Sequence, residues 1–148
     1  AKGRKALRGG YYIHLEPKNC LVAVGSYWLP TNILTSCRNE IMANIDQWRK
    51  IVEDGKFIKT FGYPNDGQWE NDAVSEKGFG LAALKTIPKG FPRDYEFAQY
   101  LRMKDYCCWV KVPDSFFEGN EWKEKLIEIA KTGKPMMDMM NNVIDDYE

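Results

Sequence analysis

The chain has 148 residues, with 21 lysines and arginines balanced by 21 acids and an aromatic content of 14%. This is enough to bury one core without disulfides or metals, and it excludes intrinsic disorder. Zero net charge supplies no field toward nucleic acid or an anionic membrane surface, and no apolar run approaches the roughly 20 residues that span a bilayer, so neither partner is expected.

Residues 1–10 carry Lys2, Arg4, Lys5 and Arg8 without an acid, which reads as a basic flexible arm ahead of a single domain at 11–148. Tyr11 to Glu16 then predicts a strand stopped by Pro17, and Leu21 to Trp28 a second. Pro17-Lys18-Asn19-Cys20 between them is of hairpin length. Alternation puts Tyr11, Ile13 and Leu15 on one face of the first strand and Tyr12, His14 and Glu16 on the other.

After Pro30, Thr31 or Asn32 caps a helix whose apolar positions Leu34, Cys37, Ile41, Ile45, Trp48 and Val52 recur every three or four residues. A break near Asn44 to Asp46 would split it, and the pattern leaves that open. Gly55 is a stop signal, and residues 56–62 read as a short element. The stretch from Tyr63 to Gly80, rich in Gly, Asn, Asp and Glu, reads as a long surface loop.

Leu81 to Ile87 is predicted as a strand ended by Pro88. Asp94 caps a short helix carrying Phe97, Tyr100 and Leu101, and Tyr106 to Val112 makes the last strand. Ser115 or Asn120 starts a helix with Trp122, Leu126, Ile129 and Ala130 on one face, closed by Gly133 and Pro135. A separate last helix from about Met136 presents Met136, Met140, Val143, Ile144 and Tyr147 as one core or interface stripe. The order β-β-α-β-α-β-α-α lacks the regular alternation of a doubly wound sheet. It predicts an α+β fold with a mixed or mostly antiparallel sheet and helices mainly on one face.

The four cysteines, at 20, 37, 107 and 108, include no Cys-x-x-Cys pair, and His14 is the one histidine. No metal site is expected, and the cysteines read as buried thiols in a reducing cytoplasm. No phosphate-binding loop, dinucleotide fingerprint, nucleophile elbow or zinc-protease motif is present, so no cofactor is expected and the choice between enzyme and binding module stays open.

What chemistry the residues offer is local. Tyr12, His14 and Glu16 share a strand face on which an acid/base pair can form. Pro88-Lys89-Gly90-Phe91-Pro92 is a rigid turn presenting Lys89, with Arg93 close behind, and Arg38 and Arg102 stand where they can join it to receive an anion. These six, Tyr12, His14, Glu16, Arg38, Lys89 and Arg102, are the candidate ligand-binding residues.

Five segments in order carry a resemblance: Gly10 to Pro17, Gly25-Ser26-Tyr27-Trp28-Leu29-Pro30, Leu34 through Arg38 to Ile41, Pro88-Lys89-Gly90-Phe91, and Leu101-Arg102-Met103-Lys104. Together they resemble the conserved hypothetical proteins of domain of unknown function 2461. The resemblance implies a preceding helical part, which would make residues 11–148 the C-terminal portion of a larger domain. It implies no activity. The polar stretch around Asp66 to Lys77 is longer than the family pattern. Two readings follow: a small-molecule site for an anionic ligand on the sheet face, catalytic or not, and a non-catalytic protein interaction module using Tyr27, Trp28, Trp69 and the last helix.

Overall fold

A computed structural model describes residues 7–64, 69–70, 73–74 and 76–147, the side chains of 69–70 and 73–74 excepted. The hairpin forms as expected, with β1 (Gly10–His14) and β2 (Cys20–Ser26) antiparallel. Lys18 takes the positive φ of 64° in its turn. Strands β5 (Lys77–Phe79) and β6 (Tyr106–Val112) complete a four-stranded antiparallel sheet of order β1-β2-β6-β5. Two short strands, β3 (Trp69–Glu70) and β4 (Ala73–Val74), pair separately.

The helical pattern after Pro30 does split, at Asn44, whose φ of −125° and ψ of 43° separate α1 (Thr31–Ala43) from α2 (Ile45–Val52). Gly55 opens α3 (Gly55–Phe61), where Asp54 caps by accepting from the Lys56 N–H. The short helix α4 (Ala98–Leu101) precedes β6, and α5 (Trp122–Ile144) follows it. The fold is thus α+β.

Alternation in β2 and β6 sends Val24, Tyr106 and Cys108 to one face, where they join a core closed by α1, α2, α3 and α5. Trp48 of α2 is its centre, fully buried with ring centroids 5.7–6.1 Å from Phe79, Tyr100 and Tyr106. Met136, Met140 and Ile144 are buried in the same core, as their stripe predicts.

Three expectations need correction. The loop read from 63 to 80 contains β5, which is too short to show a period and is recognisable only by buried Phe79. The strand expected at 81–87 is not one: a single bridge joins Ala83 to Met103. Its first two N–H groups are taken by the Asp105 carboxylate, 2.9–3.1 Å from the Leu81 and Ala82 nitrogens, so the ladder cannot extend there. The two C-terminal helices are one, running through Gly133 and Pro135. Gly133 serves packing rather than termination, since a Cβ there would lie 2.9 Å from Val24.

Of the segment read as an arm, residues 1–6 lie outside the described residues. Residues 7–10 dock on α5: Gly9 N–H donates to Asn141 Oδ1 at 2.7 Å, and Arg8 pairs with Asp145 at 2.8 Å. No helix among the described residues is long and apolar enough to cross a membrane.

Candidate functional site on the open face of the sheet

The helices cover one face of the sheet. On the other, register sets side chains in cross-strand rows: Tyr12, Ala23, Trp109 and Gly78 form one row, and His14, Leu21 and Lys111 the next. Gly25 opposes Cys107 in a third row, with no room for a side chain. Its φ is 114°, and a Cβ would stand 2.1 Å from the Tyr106 carbonyl oxygen.

Small residues between large ones leave a slot of about 220 Å³, floored by Ala23, Cys107 and Trp109 and walled by Tyr12, Leu21, Tyr27 and Leu81. Tyr12 and Tyr27 meet edge to face, their centroids 6.1 Å apart and their planes at 82°. Leu81 is held in place by buried Asp105, whose carboxylate also accepts from the Cys107 N–H at 3.2 Å. Burial pushes the Asp105 carboxyl up to about 6, against the pull of these N–H donors.

Burial also raises the Tyr12 hydroxyl, assisted by Tyr27 and Cys107, and it lifts the Cys107 thiol to about 12. Both groups therefore stay protonated at neutral pH. Cys107 is a wall of the slot rather than a nucleophile.

His14 and Glu16 do come together: Nε2 of His14 donates to Glu16 Oε2 at 2.9 Å, and Asn19 Nδ2 donates to the same oxygen at 3.0 Å. These bonds, His14 first, lower the Glu16 carboxyl. Both side chains are about half exposed, at the slot's Leu21 end.

The other three predicted residues lie elsewhere. Arg38 is 4% exposed under the helical layer, donating from Nη2 to the Met103 carbonyl at 2.9 Å. Its neighbour Cys37 packs with Tyr106 and Cys108, on the face opposite Tyr12. Arg102 follows α4, and the Nε atoms of both arginines are buried without a hydrogen-bond partner among the described residues. Lys89 is exposed on the 88–91 turn, where Gly90 takes a φ of 96° and the Phe91 N–H bonds the Pro88 carbonyl at 3.3 Å.

Sequence reasoning missed Ala23, Leu81, Asp105 and Trp109. The alternation of small residues Ala23 and Gly25 against Val22 and Val24 was a readable signal for an open shelf. Nothing local pointed to Asp105 or Leu81. No cluster of three or more His, Cys, Asp or Glu side chains suited to a metal ion occurs among the described residues. The Trp69 side chain and residues 66–68, 71–72 and 75 of the stretch from Asp66 to Lys77 lie outside what the structure describes.

The family model described as "Conserved hypothetical protein (DUF2461)" matches residues 1–139. No curated protein and no solved structure matches the chain significantly.

Proposed function

The chain belongs to the conserved hypothetical family DUF2461, whose description carries no activity, and from the geometry we propose that it binds a small ligand in the slot on the open face of the sheet. The observation that carries this reading is the slot itself, about 220 Å³ with aromatic walls at right angles. Being smaller than the roughly 300–1,000 Å³ of sites for drug-sized ligands, it has room for one planar apolar group. His14 and Lys111 flank Leu21 in the adjacent row and supply the basic groups for an acidic substituent. The ligand class is therefore a small aromatic or cyclic acid. Four free, buried thiols support a reducing compartment, the cytoplasm.

The test is a thermal-shift and tryptophan-fluorescence titration of the whole chain with aromatic carboxylates and phosphates. Ala23→Leu, which fills the slot between Tyr12 and Trp109, is expected to abolish the change in tryptophan fluorescence, and His14→Ala with Lys111→Met to weaken binding several-fold. A set of compounds that changes the tryptophan fluorescence of the wild type no more than that of Ala23→Leu overturns the reading.

A second reading rests on a separate observation: Tyr11, Ile13, Leu15, Tyr27 and Trp28 are 47–68% exposed around the edge strand β1, a surface suited to a protein partner. A strictly monomeric protein that binds no hydrophobic dye at this edge would count against it.

A further inference from the structure

On the helical side, away from the sheet, α2, α3 and α5 enclose a groove of about 450 Å³. That volume lies within the roughly 300–1,000 Å³ of small-molecule sites. Its apolar surface comes from Ile51, Phe57 and Pro135, and three lysines line it: Lys50 from α2, Lys56 from α3 and Lys131 from α5.

The two acids of the groove already have partners. Asp54 caps α3 through the Lys56 N–H at 3.1 Å, and Glu128 pairs with the Lys56 ammonium at 2.5 Å. The Lys56 bond, with Lys131 contributing at longer range, holds the Glu128 carboxyl below its usual range. Lys50 and Lys131 make no ion pair or hydrogen bond from their ammonium groups to any described residue, and both are exposed. Three ammonium groups against two carboxylates leave the groove one positive charge in excess, on the two lysines that are unpaired.

We propose that this groove binds an organic anion, with its apolar body on Ile51, Phe57 and Pro135 and its carboxylate, phosphate or sulfonate between Lys50 and Lys131. Lysines rather than arginines suit this role where the acidic group has no fixed bidentate geometry. The groove is a separate site from the open-face slot, with about twice its volume and three lysines in its lining where the slot has none.

The experiment titrates the whole chain with 8-anilinonaphthalene-1-sulfonate, phenyl phosphate and 2-naphthoate, with uncharged N-phenyl-1-naphthylamine as control. Binding is followed by fluorescence and by amide chemical shifts. At least one anion is expected to bind saturably, shifting the amides of Ile51 and Thr132. The double variant Lys50→Glu with Lys131→Glu, which changes two exposed side chains, should weaken that binding at least tenfold and leave the uncharged control unchanged. In Ala23→Leu, whose slot is filled, the shifts of the Ile51 and Thr132 amides should persist. The proposal is overturned if none of the three anions binds, if the double variant binds them equally, or if the shifts map to Tyr12 and Trp109 instead.

Discussion

Asp105 joins stability to the proposed site more directly than any residue chosen from the sequence. It is 2% exposed, and its two oxygens receive the N–H groups of Leu81, Ala82 and Cys107. Asp105→Asn turns one acceptor into a donor aimed at those N–H groups. A loss of about 1–3 kcal/mol is expected in urea titrations, with Leu81 released from the slot. The pH dependence follows from the raised carboxyl. Between about 4 and about 6 the native state binds more protons than the unfolded one, so this group's contribution to stability falls as pH rises through that window. The span is on the order of 3 kcal/mol. Wild-type stability relative to Asp105→Asn should therefore decline from pH 4 to 6 and level off above; a relative rise would show that the N–H donors outweigh burial. His14 and Glu16 were legible in the sequence because an offset of two on a strand is a local relation. Asp105 was not, because the two partners that tie it to the slot, Leu81 and Ala82, lie 24 and 23 residues away.

The elements divide in the same way. The hairpin, the helix pattern through Trp48, and β6 were readable from local signals: a connection of hairpin length, apolar positions recurring every three or four residues, and a run of strand-forming residues ended by Pro113. The C-terminal helix was misread at Gly133 and Pro135, two residues that ordinarily end helices, because tertiary packing overrides propensity there. Gly133 lets α5 approach Val24, and the buried methionines beyond it hold the helix against the core. Pro135 remains a local liability: it is exposed, lacks a donor for the Lys131 carbonyl and crowds that carbonyl. Pro135→Ala is expected to stabilise the protein by about 1–3 kcal/mol, read as a higher urea midpoint at unchanged slope. A lower midpoint would mean that the ring's packing in the groove outweighs the restored hydrogen bond.

At the scale of the molecule, a sheet with one face under helices and the other open ranks the four cysteines by depth. Cys108 lies between sheet and helices with no exposure, its thiol raised well above the ordinary range by burial. Cys37, on α1 beneath the same layer, is pushed up to about 12, as is Cys107 on the slot floor. A rise from 9 to about 12 lowers the reactive thiolate fraction near neutral pH on the order of a thousandfold. Cys20 stands at the hairpin end of β2, 6% exposed, its S–H directed to the Glu16 carbonyl at 3.3 Å. Only the 17–19 turn and the segment around Asp114 need open to reach it. A thiol reagent should thus label Cys20 first by local opening, then Cys107, with Cys37 and Cys108 reacting only at the rate of global unfolding. Mass spectrometry of a labelling time course resolves the order. All four should react together in denaturant. Native labelling of Cys108 as fast as Cys20 would show that α5 lifts from β2 without unfolding, and the close approach at Gly133 would then not be the lock that holds the two layers together.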